Sequence, residues 1–157
     1  MYSYQLFLDP HNDITMLPND KVLPQEYFGF LQEQKKQGLY RFQFTSKMGR
    51  KSLLKFFTNY DVQVVSVKTF GDSYENLKIE RKVRKVIKQL ESYINVDFFY
   101  YQLDSLEKQY FIDVKKIEFL HKDLGTLTVS YDGIIKHNDQ RWNDILLKTL
   151  NLAWQED

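Results

Sequence analysis

The stretch Thr126-Leu-Thr-Val-Ser-Tyr-Asp-Gly-Ile-Ile-Lys-His137 carries the strongest local structural signal of the chain. Two β-prone segments, 126–131 and 134–137, flank Asp132-Gly133, a dipeptide typical of two-residue hairpin turns. Just beyond, Asp139 is suited to cap a helix over residues 140–154. The end of the chain therefore predicts a β-hairpin followed by a helix.

Upstream of this hairpin, segments typical of strands alternate with segments typical of helices. Strands are predicted over Tyr2–Leu8, Leu39–Phe44, Val62–Lys68 and Tyr110–Leu120, and helices over Pro24–Gln37, Ser46–Thr58 and Ser73–Ile94. Residues 95–110 fit either strand or helix. The order β-α-β-α-β-α, with a late β-hairpin and a C-terminal helix, predicts an α+β fold, a mixed α/β layer with at least one parallel strand pair.

Three local details add to this outline. Residues 11–23 form a polar, turn-rich segment before the first helix, and the β-branched run 62–68 indicates a central strand. The apolar face of the first helix is predicted to consist of Tyr27, Phe28, Phe30 and Leu31.

Composition limits the classes of protein to consider. At 157 residues and 43% hydrophobic, the chain suits one globular domain spanning residues 1–157. It has no cysteine, which excludes disulfides and thiolate chemistry. The amino-terminal residues lack the pattern of a signal peptide, and no apolar run is long enough to cross a bilayer. We therefore expect a cytoplasmic protein with no membrane partner and no cofactor.

The formal net charge of +1 conceals a strongly uneven distribution. Residues 35–88, which we call the basic block, carry fourteen Lys and Arg but only four acids, whereas both flanking regions are net acidic. Such a segregated distribution favours a polyanion or an acidic protein as partner.

Two clusters within the basic block are the candidate contact residues. At the start of the predicted second helix, Lys47, Arg50 and Lys51 lie beside free amide donors, an arrangement that favours anions. At 100° per residue, the bases of the predicted third helix occupy an arc of about 160° opposite its apolar residues. They are Lys78, Arg81, Lys82, Arg84, Lys85 and Lys88.

These clusters predict a non-enzymatic nucleic-acid-binding or nucleic-acid-associated accessory protein, for either DNA or RNA, that contacts phosphates without reading sequence. Three alternatives stay open. The first is an inhibitor or assembly protein that docks an acidic protein surface. The second is a homo-oligomer formed through the protein's own acidic flanks. The third is an ordinary solvated face, in which the bases bind no partner.

One short element points to a different chemistry. Asp113-Val114-Lys115 resembles the acid-x-Lys element of the PD-(D/E)xK nuclease family, in which two acids hold a divalent metal and a lysine helps to position water. That resemblance implies a Mg²⁺-dependent nuclease with Asp97 or Asp104 as the second ligand, although the family's Pro-Asp element is absent. The histidines, His11, His121 and His137, lack metal-ligand spacing, so no metal site is predicted from them.

Overall fold

The computed structural model describes residues 1–43, 62–69 and 114–155, together with Arg81 and Lys85. Residues 1–43, 62–69 and 114–155 form seven strands and two α-helices. The elements are β1 (Tyr2–Leu8), β2 (Ile14–Pro18), α1 (Tyr27–Lys36), β3 (Tyr40–Arg41), β4 (Val62–Thr69), β5 (Val114–His121), β6 (Gly125–Ser130), β7 (Ile134–His137) and α2 (Arg141–Gln155).

The strands form one sheet in the order β2-β1-β7-β6-β5-β4, and β3 pairs with the end of β1. Every pairing among the described strands is antiparallel, which confirms the α+β class but makes the predicted parallel pair wrong for these strands. The early β-α-β-α-β-α order is not confirmed, because β2 follows β1 directly. The predicted helix over 46–58 and the ambiguous residues 95–110 lie outside the described residues.

The turn-rich segment before the first helix contains β2, which sequence reasoning missed. Asp9 organises the tight turn between β1 and β2, since its Oδ1 accepts the backbone N–H groups of His11 and Asp13 at 2.8 and 3.0 Å. Asn12 takes the left-handed conformation there, with φ of 63°. Among the described strands β2 pairs only with β1, and an edge position tolerates its final residue, Pro18.

The hairpin of β6 and β7 is confirmed, but its turn differs from the predicted two-residue turn. The N–H of Gly133 donates to the carbonyl of Ser130 at 3.0 Å, so Tyr131 and Asp132 are the central residues. A type I′ turn centred on Asp132-Gly133 needs positive φ at both residues, and only Gly133 has it, at 84°. The loop is therefore one residue longer, with Gly133 in the left-handed position that follows a type I turn.

The helix α2 covers one face of the sheet, which we call the core face. Its start is confirmed, because Asp139 Oδ1 accepts the N–H of Arg141 at 3.0 Å. Trp142, Leu146 and Leu150 are fully buried, and the indole N–H of Trp142 donates to the carbonyl of Leu124 at 3.1 Å. They share one hydrophobic cluster with sheet residues that include Leu6, Phe119, Leu127 and Ile135.

The helix α1 lies on the opposite, outer face of the sheet, beside β1. A short 3-10 turn at Pro24–Glu26 leads into it and Gly38, at φ of 84°, ends it, as predicted. The ring of Phe30 contacts Phe7 with centroids 6.0 Å apart. The predicted apolar face is wrong for Phe28, which is 76% exposed.

The strand β4 confirms the prediction over 62–68 but not its central position. Among the described strands it has β5 as its one neighbour, with a register shift between Val64 and Ser66. Within the part of the chain that the structure describes, no helix is long and apolar enough to cross a membrane.

Candidate functional site

Two of the nine predicted contact bases fall within the described residues. Arg81 and Lys85 are both helical and both exposed, and the rest of the helix predicted over 73–94 lies outside the described residues. They lie four residues apart, which places them one turn apart on the same side of a helix. The other seven, Lys47, Arg50, Lys51, Lys78, Lys82, Arg84 and Lys88, lie outside the described residues.

A further basic pair lies on the outer face of the sheet. Lys68 on β4 is directly opposite Lys116 on β5, and their strands are antiparallel neighbours. Cross-strand partners have Cβ atoms about 4.5–5.5 Å apart, and like charges in this position destabilise a sheet. Neither lysine forms an ion pair with another described residue. Sequence analysis did not predict this pair, because Lys116 lies outside the basic block.

Within the described residues, a concave site lies between the outer face of β1 and β7 and the segment Asn19–Tyr27, and we call it the 19–27 cleft. Its volume is about 600 Å³. Ser3 and Lys136, which are register partners on β1 and β7, contribute to the sheet side. The remaining lining residues are Met1, Asn19, Asp20, Val22, Leu23, Pro24, Tyr27, Asp132 and Ile134.

Two residues that line this cleft each carry a buried acceptor oxygen that has no hydrogen-bond partner among the described residues. They are Oδ1 of Asn19 and Oδ1 of Asp132, and neither is accessible to bulk water. A buried acceptor left without a donor costs about 1–3 kcal/mol. Unsatisfied groups of this kind are few in native proteins.

The inner wall of the cleft is fixed by a hydrogen-bond network around Gln5, which is fully buried. The hydroxyl of Tyr27 donates to Gln5 Oε1 at 2.6 Å, and Gln5 Nε2 donates to the backbone carbonyl of Asp132 at 2.8 Å. Burial raises the pKa of Tyr27 above its usual value, so the phenol keeps the proton that it donates. The carboxylate of Asp132 takes no part in this network, which uses only the backbone carbonyl of that residue.

The three histidines have different local environments. His11 is exposed in the β1–β2 turn, and Nδ1 of His121 accepts the N–H of Leu124 at 3.2 Å. His137 is buried, and its Nε2 lies 2.7 Å from Oδ1 of Asn143. No group of three potential metal ligands occurs among the residues that the structure describes.

The nuclease-like element receives no structural test. Lys115 lies on β5 and is exposed, whereas Asp113, Asp97 and Asp104 lie outside the described residues. The geometry that a two-acid metal site requires is therefore not defined by the described part of the chain.

The residues of the 19–27 cleft carried no functional signal in the sequence. Asn19 and Asp20 belong to a segment that reads as a polar loop, and Asp132 reads as a turn residue. They meet only because β1 pairs with both β2 and β7. Such convergence depends on strand pairing, which local patterns do not specify.

Comparisons with other proteins gave no match. No protein-family model matches the chain, and neither the search of curated proteins nor the search of solved structures found a similar one.

Proposed function

We propose that this protein associates with nucleic acid, DNA or RNA, through the exposed bases of its basic block and acts as a non-enzymatic accessory protein. The observation that carries the proposal is the placement of Arg81 and Lys85. Both are exposed, both are helical, and neither forms an ion pair with another described residue. Like charges four residues apart repel each other in a helix, and phosphate groups relieve that repulsion.

The lysine pair on the outer face of the sheet supports the same proposal. Lys68 belongs to the basic block and is exposed, and its cross-strand partner Lys116 doubles the local charge. Among the residues that the structure describes on β4 and β5, the acid on the same face is Glu118, two residues along β5 from Lys116. An anion bound between the two lysines would offset the electrostatic repulsion between their ammonium groups.

Contacts of this kind are made with the phosphate backbone. Lys and Arg neutralise phosphates and release counterions, so affinity depends on salt and not on base sequence. We therefore expect binding to oligonucleotides of arbitrary sequence.

Fluorescence anisotropy with labelled single-stranded and duplex oligonucleotides tests the proposal. If most of the nine bases contact phosphates, the affinity should fall by a factor on the order of 10³ between about 50 and 200 mM salt. Absence of binding at the lower salt concentration, or binding that salt does not weaken, would overturn the proposal.

A matched pair of variants identifies the surface. Arg81→Gln/Lys85→Gln should reduce the slope of log affinity against log salt by about 1.4–1.8, since each phosphate contact contributes about 0.7–0.9. Lys122→Gln/Lys148→Gln removes two exposed charges outside the basic block and should leave the slope unchanged. Circular dichroism should show both variants folded. Equal slopes in the two variants would contradict the assignment of the surface.

Sedimentation separates this proposal from self-association. A protein that sediments as an oligomer and fails to bind oligonucleotides would place the basic block against the acidic flanks of a second copy. That result would overturn nucleic-acid association.

A further inference from the structure

We propose that Asn151 takes the place of a neighbouring strand at the edge of β2 and, together with Pro18, prevents a second copy of this chain from pairing with that edge. This inference is independent of nucleic-acid association, because it concerns β2 and α2 and none of the bases of the basic block.

Every second residue of β2 directs its backbone N–H and C=O groups away from β1. Leu6 makes its backbone hydrogen bonds on the other side of β1, since its N–H donates to Gly133 at 2.9 Å and its carbonyl accepts from Phe42 at 3.0 Å. Its register partner Met16 therefore directs its own groups outward. By the alternation of an antiparallel ladder, the outward residues are Ile14, Met16 and Pro18.

Asn151 on α2 occupies the first of these outward positions. Its Oδ1 accepts the N–H of Ile14 at 2.6 Å, and its Nδ2 donates to the carbonyl of Ile14 at 2.9 Å. A residue on a paired strand exchanges the same two hydrogen bonds. Gln155, one turn further along α2, donates to Oδ1 of Asp13 at 2.6 Å and holds this end of the helix beside the edge.

Pro18 blocks the opposite end of the same edge. It has no backbone N–H, so its outward position offers an acceptor but no donor. Met16 lies between the two blocked positions, and no described strand pairs with its outward groups.

The two blocked positions would face each other if two copies paired through this edge. Identical edges pair about a two-fold axis, and an axis at Met16 sets Ile14 opposite residue 18 of the second copy. Asn151 already occupies both backbone groups of Ile14, and Pro18 has no N–H to give to its carbonyl. The Met16 pair alone would remain, which is too little to offset the freedom lost on association.

Amide hydrogen exchange of the wild-type chain tests this arrangement without a substitution. The N–H of Ile14 should exchange at least about tenfold more slowly than that of Met16, because Asn151 protects the former and no described strand protects the latter. Equal protection of the two amides would mean that another segment or a second copy already pairs with the edge, and would overturn the proposal.

A double variant opens the edge. Asn151→Ala/Pro18→Val frees both groups of Ile14 and adds a donor at position 18, so all three outward positions can pair. Its association constant in sedimentation velocity should exceed that of the wild type by at least about tenfold. The matched control is Asn138→Ala/Pro18→Val, which keeps Asn151 in place and should sediment like the wild type.

Exchange at Met16 separates strand addition from misfolding. Pairing through the edge should slow exchange of the Met16 N–H at concentrations where the double variant associates, whereas partial unfolding would speed exchange throughout the sheet. A folded double variant that does not associate, association without protection of Met16, or equal association of the control would each overturn the proposal. If the double variant does not fold, the exchange rates of the wild-type chain decide the question.

Discussion

Tyr27 and Gln5 join α1 to β1 through a single hydrogen bond of 2.6 Å, from the phenol hydroxyl to Oε1 of the amide. Gln5 is fully buried, and its Nε2 reaches the carbonyl of Asp132 in the β6–β7 turn. One side chain thus links a helix, a strand and a turn on the outer face of the sheet. It also fixes the inner wall of the 19–27 cleft.

Tyr27→Phe should lower the free energy of unfolding by about 1–3 kcal/mol, because Gln5 Oε1 would remain buried without a donor. Tyr40→Phe is the matched control, since Tyr40 is 56% exposed and its change should have little effect. Urea denaturation followed by circular dichroism measures both. Equal stabilities of the two variants would show that the Tyr27 hydrogen bond contributes nothing net.

Gly133→Ala should be much more destabilising than Gly125→Ala. Both glycines have positive φ, 84° and 78°, which costs an alanine about 1–2 kcal/mol. At Gly133 a Cβ would also overlap the carbonyl oxygen of Phe42 and lie 2.9 Å from Gln5 Nε2, whereas nothing lies within 4 Å at Gly125.

The overlap should add about 1–3 kcal/mol to the cost at Gly133. Thermal or urea unfolding of the two variants gives the difference directly. A Gly125→Ala variant as unstable as Gly133→Ala would mean that backbone strain alone accounts for the effect.

The parts of the fold that the sequence predicts correctly depend on a few neighbouring residues. Pro24 and Gly38 bound the first helix, and Asp139 caps the last, because these residues act through their own backbone geometry or the next turn of chain. The hairpin of β6 and β7 was predicted for the same reason. Its turn was misassigned by one residue, since Asp-Gly suits both a two-residue turn and the end of a three-residue loop.

The parts that were missed depend on partners remote in sequence. Segment 14–18, with its proline and short length, resembles a loop until β1 supplies a pairing strand. Central and edge positions look alike in 62–68, because β-branched residues suit both. The 19–27 cleft depends most on remote partners, since Asn19 and Asp132 line the same cleft only because the sheet brings their chain segments together.

Asn151→Ala should destabilise the protein by about 1–3 kcal/mol. The side chain of Asn151 on α2 makes two hydrogen bonds to the backbone of Ile14, accepting its N–H at 2.6 Å and donating to its carbonyl at 2.9 Å. Asn151→Ala removes the partner of both backbone groups, and because Ile14 is buried, water does not replace it. Asn138→Ala, at an exposed position before α2, is the control. Slower amide exchange at Ile14 in wild type than in Asn151→Ala would confirm this cause.

The imidazole of His137 should make the stability of the protein depend on pH near neutrality. Its ring is buried, stacks on Tyr4 with centroids 5.5 Å apart and lies 5.9 Å from the ring of Tyr2. Asn143 Oδ1 only accepts, so Nε2 carries the proton of a neutral ring. Burial lowers the pKa of His137 below its ordinary value of 6.5, against the smaller, raising effects of Asn143 and Asp139.

The direction of the effect follows from proton linkage. Below pH 6.5 the unfolded chain binds a proton at His137 before the folded protein does, so stability falls as the pH decreases toward the lower folded-state pKa. Above pH 6.5 His137 is neutral in both the folded and the unfolded state, so its contribution to the free energy of unfolding no longer changes with pH. His137→Gln should flatten this part of the profile, whereas His11→Gln, at an exposed turn position, should leave it unchanged. Urea unfolding across this pH range measures the profiles, and an NMR titration that gives His137 a pKa at or above 6.5 would contradict the prediction.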